Sequence, residues 1–201
     1  MERRQLEQTI REACQQQDWQ AAATHALRGY GPEVLGFLVG LENSEQRGRD
    51  VFSTFCEDMW RGLPGFGWDC SLRTWIYCVA RHACYRERRG ERRRGRGIPL
   101  SKAPAVAELA LQVRSGTHTF QKTEPKEHVR RLREALPEAD RMLLILRVDR
   151  EMSWRDLARV MLGGSPSPAE LEREAVRLRK RFQLVKERLH AGLNQQARRS
   201  G

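Results

Sequence analysis

With 201 residues, 31% of them charged and only 39% apolar, the chain is long enough for one ordinary domain or two small ones, each with a modest core. A formal net charge of +11 favours an anionic partner, nucleic acid ahead of a membrane surface. No run approaches the roughly 20 apolar residues of a membrane helix. The start, "MERRQLEQTIREACQQQ", lacks the apolar core of a signal peptide, and five irregularly spaced cysteines (Cys14, Cys56, Cys70, Cys78, Cys84) fit reduced thiols better than a disulfide framework. The expectation is a cytoplasmic protein without membrane insertion.

Apolar residues recur at helical period along nearly the whole chain, and no stretch alternates as a strand would. Gln5 to Gln16 predicts a polar helix and Trp19 to Gly29 a second. "GYGPE" predicts a break, after which Val34 to Leu41 forms a short apolar helix with Pro32 near its start. "NSEQRGRD" reads as a loop, Asp50 to Arg61 as an aromatic-rich helix and "GLPGFG" as its stop. Ser71 then predicts an N-cap. In the helix it opens, Leu72, Trp75, Ile76, Val79, Ala80 and Ala83 line one buried stripe. Thr74, Tyr77, Arg81, Tyr85 and Arg88 gather on the opposite side at about 100° per residue, an aromatic and cationic face.

From about Glu91 to Glu124 the period fades in "ERRRGRGIPLSKAP" and "RSGTHTFQKTEP", which predict an interdomain linker with one helical turn at Ala105 to Val113. Helical period resumes at Lys126, with "HVRRLREAL" ending at Pro137 and "EADRMLLILRV" placing Met142, Leu143 and Leu146 on one side. Ser153, followed three residues later by Asp156, starts a helix over Trp154 to Leu162 that ends at Gly163-Gly164. Ser167, Pro168 and Glu170 mark the start of a last, unbroken helix to about His190. Leu171, Ala175, Leu178, Phe182, Val185 and Leu189 form its apolar stripe.

Between Arg81 and Arg96, eight arginines stand against Glu87 and Glu91, directly after a row of aromatics. Cations contact phosphates while aromatic faces accept unstacked bases, so the combination suits single-stranded nucleic acid. The last two helices resemble a helix-turn-helix that carries Arg179, Lys180 and Arg181 toward a major groove, although a helical hairpin with a charged outer face gives the same pattern. Cys78 and His82 share a helix face, but Cys84 does not join them and no fourth ligand is at hand, so no metal is expected. No phosphate-binding loop, catalytic carboxylate pair or nucleophile motif occurs, which argues against an enzyme and against a cofactor.

Five stretches, "YGPEVLGFLVGL", "DVFSTFCEDMWRGLPGF", "SLRTWIYCVARHACYRERR", "LREALPEADRMLLILRV" and "SWRDLARVM", together resemble a bacterial RNA polymerase sigma factor of the extracytoplasmic-function (ECF) type, over roughly Trp19 to Leu193. The resemblance implies an all-α protein of two small helical domains joined by a flexible linker. Its parts would be an N-terminal extension at 1–17, sigma domain 2 at 18–96, the linker at 97–125, a helix-turn-helix sigma domain 4 at 126–193 and a tail at 194–201. Core RNA polymerase (clamp and flap regions) and promoter DNA would be its partners, with an anti-sigma factor as a further one. Domain 2 would melt the −10 element and domain 4 would read the −35 element as duplex.

Carried over by position, Asp50, Phe52, Glu57, Asp58 and Trp60 would dock on the clamp, with Val51, Phe55 and Met59 facing the core. Trp68, Asp69, Ser71, Thr74, Tyr77, Arg81, His82, Tyr85, Arg88, Arg89, Arg92 and Arg93 would engage the −10 DNA. Arg177, Arg179, Lys180 and Arg181 would meet the −35 duplex. Three departures stand out: Ser53-Thr54 where many relatives carry Gln-Glu, His82 where they often carry asparagine, and a longer connection, "GGSPSPAELEREA", between the last two helices. The competing expectation is a helix-turn-helix regulator or interaction protein that does not direct initiation.

Overall fold

The computed structural model describes residues 3–90, 100–116 and 127–197, and all regular structure among them is helical. The chain divides into two compact units, Met1–Gln121 and Lys122–Gly201.

The first unit is built around α2 (Trp19–Glu42), against which α1 (Arg3–Gln15), α3 (Glu45–Gly62), α4 (Leu72–Arg88) and α5 (Pro104–Ser115) all pack. Asp18 caps α2 by accepting the Ala21 N–H at 2.9 Å, and Asn43, in the left-handed region at φ 50°, ends it. The break expected at "GYGPE" is absent: Pro32 lies inside one continuous helix. Proline removes a helical N–H bond, a cost of about 3 kcal/mol in an ordinary interior. Here Tyr30, Gly31, Val34 and Leu35 are buried on both sides of it, so burial against neighbouring helices holds the two halves in line.

"NSEQRGRD" is likewise helical from Glu45 onward, because Ser44 caps α3 and the polar residues lie on its outer side. Gly48 is buried where α3 crosses α2, and a Cβ there would come within 2.6 Å of the Val39 Cα, so the crossing requires glycine. Two stretches set apart by the sequence are packed into this unit. The N-terminal helix α1 buries Leu6 and Ile10, and the turn expected at Ala105 to Val113 is the full helix α5, which buries Ala103, Val106 and Ala110 at its junction with α2 and α3.

The second unit contains α6 (Glu127–Glu134), α7 (Glu138–Leu144) running into a π-turn at Ile145–Asp149, α8 (Trp154–Leu162) and α9 (Pro168–Ala197). Ser153 caps α8 by accepting the Asp156 N–H at 3.1 Å. A reciprocal capping box opens α9: the Glu170 N–H donates to Ser167 Oγ at 3.3 Å, while the Ser167 N–H donates to Glu170 Oε2 at 2.8 Å. Leu136, Leu144 and Val185, with Phe182 and Leu189 beside them, form an apolar cluster between α7 and α9. Buried Asp140 accepts from Arg181 Nε at 2.5 Å and from Arg188 at 3.5 Å, tying α7 to the middle of α9.

Candidate nucleic-acid interface

The link between α3 and α4 carries the most constrained geometry. After the short 3-10 turn Leu63–Gly65, Trp68 adopts φ 58°, a conformation rare for a bulky residue. Phe66 joins it to the helix behind: its ring lies 4.8 Å from Trp68 and stacks on Trp75 at 4.9 Å. Ser71 begins α4 by accepting the Thr74 N–H at 3.1 Å. Helix α1 completes the support. Arg11 lies 4.9 Å over the Trp68 ring, and Glu7 accepts both the Arg73 N–H at 3.2 Å and the Tyr30 hydroxyl at 3.0 Å. Burial first, and then the Glu7 charge, push the Tyr30 phenol well above its ordinary value, so it stays a neutral donor.

Along α4 the expected aromatic and cationic face is only partly exposed. Thr74 and Tyr77 are buried, a correction to their assignment to DNA. The reason is that α4 packs against both α3 and α2; Phe37 of α2 meets the Tyr77 ring edge-on at 5.2 Å. Trp75 and Val79 of the predicted core stripe are half-buried instead. What remains at the surface is the second half of the helix. Arg81 lies 4.6 Å over the exposed ring of Tyr85, and His82, Arg88 and Arg89 are exposed. Asp69 and Ser71 are exposed and Trp68 is half-buried at the other end. Arg92 and Arg93 lie outside the described residues.

Carboxylates engage two arginines of this half of α4. Arg88 pairs with Glu42 of α2 at 2.6 Å, and Arg86 pairs with Asp58 of α3. Cys84 is buried; desolvation and then Glu42 push its thiol up to about 12. Among the described residues, no three His, Cys, Asp or Glu side chains gather as a metal site.

On α3, Val51, Phe55 and Met59 are buried as expected. Asp50 and Glu57 are exposed, the first 3.0 Å from Arg114 of α5 and the second 3.1 Å from Arg61. Phe52 and Trp60, expected to meet a partner, are buried, Phe52 completely. For Phe52 part of the cause is α5, which packs on α2 and α3 and brings Val113 to Gly31 beside the Phe52 ring.

In the second unit, Arg177, Arg179 and Lys180 are exposed on α9, whereas Arg181 turns toward Asp140. Trp154 at the start of α8 packs edge-on against Phe182 at 5.6 Å, with Arg147 4.7 Å and Arg179 6.0 Å over its ring. The Ser167 hydroxyl and then its N–H hold the Glu170 carboxyl below the usual range.

Arg11, Glu7, Arg73 and Arg114, all important to this geometry, carry no assigned role in the sequence, and Arg86 figures there only as part of the basic run. Each acts through a partner distant in the chain, and no local pattern marks such pairs. The α1 contacts with the 66–73 stretch span more than fifty residues.

Residues 26–94 match the family model described as Sigma-70 region 2, about a third of the chain, which includes most of α2, all of α3 and α4, and the loop carrying Trp68. No curated protein and no solved structure matches the chain. The matched family binds core RNA polymerase and promoter DNA, and sigma factors are non-enzymatic DNA-binding regulators. No described helix is long and apolar enough to cross a membrane. Residues 26–94 of the first unit are thus similar to sigma-70 region 2, which supports a sigma-70 family factor with a role in promoter recognition by RNA polymerase.

Proposed function

We propose that the chain is an ECF-type sigma factor that joins core polymerase in the cytoplasm, melts the −10 element with its first unit and reads the −35 element with its second. The observation that carries this reading is the order of parts. A segment matching sigma-70 region 2 is followed by a separate helical unit in which a capped nine-residue helix, a short Gly-containing connection and a long basic helix succeed one another. That succession suits a helix-turn-helix, with Arg177, Arg179 and Lys180 facing the duplex.

The mechanism follows from the first unit. A duplex must be unstacked to expose a base, at a cost of a few kcal/mol that a pre-shaped acceptor offsets. The 66–71 loop, with Trp68 in contact with both Phe66 and Arg11, offers such a buttressed rim. Tyr85 with Arg81 across it offers a stacking surface and a cation further along, and His82, Arg88 and Arg89 extend it toward the backbone. Asp50 and Glu57 on α3 would meet the clamp, with Asp58 held behind them by Arg86. Trp60 and Phe52 support that face from within. An anti-sigma factor that covers either surface would silence the protein.

The test is holoenzyme formation followed by binding to fork-junction DNA that exposes a single-stranded −10 segment. The reading predicts that core polymerase binds the chain and that fork DNA is retained in preference to blunt duplex. A chain that binds duplex DNA but not core polymerase is a plain helix-turn-helix regulator.

A further inference from the structure

We propose that α5 is a displaceable strap over the polymerase-docking face of α2 and α3: the free chain keeps part of that face covered, and core polymerase lifts α5 to reach it. The proposal rests on the docking role of α3 proposed above.

Two consecutive residues of α5 lie at the start of that face, one beside Gly31 and one on Asp50. Val113 and Phe52 of α3 converge on Gly31 of α2, where an added Cβ would stand 3.3 Å from Val113 Cγ1 and 3.8 Å from Phe52 Cζ. One residue on, Arg114 reaches Asp50 Oδ1 at 3.0 Å. Phe52 is fully buried and Asp50 is paired, yet both occur where the docking surface is expected to begin. A segment of the chain thus occupies the place of a partner.

Most of the packing of α5 is against α2, and its hold on α3 is the slighter one. The helix is twelve residues long, a length at which an isolated helix is marginal, and its N-cap, Ala103, supplies no side-chain bond. Its fully covered anchors are small, Ala103 and Val106, while Leu111 points away with 59% of its surface exposed. The Arg114–Asp50 pair is largely solvated on the Asp50 side, and such surface pairs contribute little. The occupant that replaces α5 needs the same chemistry: a helix with a narrow apolar edge over Gly31 and Phe52 and a basic residue opposite Asp50. Glycine at position 31 leaves room for the close approach that either helix requires.

The test uses the full chain and purified core polymerase. Hydrogen exchange is followed at the amides of residues 107–115, alone and in complex, and core affinity is compared for wild type, Arg114→Glu and Val106→Ser. The strap predicts protected α5 amides in the free chain, faster exchange in the complex, and several-fold tighter core binding by both variants. Arg114 is partly exposed, so its replacement preserves the fold and keeps the test open should Val106→Ser unfold the unit. Core binding with α5 amides equally protected, or variants binding no tighter than wild type, overturns the strap and leaves the docking role of α3 intact. If neither wild type nor variants bind core, that docking role fails and the strap with it.

Discussion

Cations serve different purposes in the two units. In the first, arginines act largely as struts: Arg73 reaches Glu33, Arg86 reaches Asp58, Arg88 reaches Glu42 and Arg114 reaches Asp50, each joining two helices. In the second, α9 turns Arg177, Arg179 and Lys180 outward, while Arg181 and Arg188 converge on buried Asp140 and Arg133 pairs with Asp149. A run of positive charge in a sequence therefore does not equal charge available to DNA. Pairing within the fold decides how much of it a phosphate meets. The first unit relies more on shape, in a buttressed aromatic loop, and the second more on exposed charge.

The contrast is sharpest at Tyr77. As a strut of the core rather than a DNA-facing ring, its replacement in Tyr77→Ala should destabilise the first unit by about 3–5 kcal/mol, as large aromatic truncations do. Chemical denaturation measures this, and Tyr85→Ala, on the exposed half of the same helix, should cost far less. Equal effects at the two positions would erase the distinction between the faces of α4. A smaller loss is expected from Asp140→Asn in the second unit. It breaks a buried ion pair whose arginine partners remain partly solvated, so about 1–2 kcal/mol is expected from thermal melting.

Arg88 and Arg89 test the strut idea from the DNA side. Replacing both with alanine should weaken single-stranded DNA binding and lower the salt slope by about 0.7 for each phosphate that is no longer neutralised. An unchanged slope would make Arg88 wholly structural, committed to Glu42. The smallest effect concerns the start of α9. The folded-state pKa of Glu170 is lowered by the Ser167 hydroxyl and N–H, so its support of the helix is present above the unfolded value and lost as pH falls through the folded one. Ser167→Ala should therefore reduce α9 helicity more at neutral pH than in acid, where only the loss of the Oγ cap on the Glu170 N–H remains, as circular dichroism would report.

Local chemistry was the legible part. The starts of α4, α8 and α9 follow from Ser71, Ser153 and the Ser167–Glu170 box, because a cap is decided within four residues. The all-helical class followed from hydrophobic period. Features that depend on tertiary packing were not legible. Pro32 reads as a break until burial on both sides of it is known, and Gly48 reads as a loop residue until Val39 is found against it. A helical wheel gives α4 one buried stripe, yet neighbours on two sides bury Tyr77 and Thr74 as well. The loop at Trp68 stands out in the sequence only through family resemblance. Its support by Glu7 and Arg11 does not stand out, since nothing in a polar helix start announces which distant ring or amide it will meet.

The central claim, that this protein directs initiation, is tested most directly by run-off transcription with sigma-free bacterial core polymerase on a pool of promoter fragments, with and without the chain. The account predicts discrete start sites that require the protein, each preceded by shared −10 and −35 elements, and abolished when Trp68 and Tyr85 are replaced together in a variant that still binds core. Core polymerase that neither binds the chain nor starts at new sites in its presence would contradict the account.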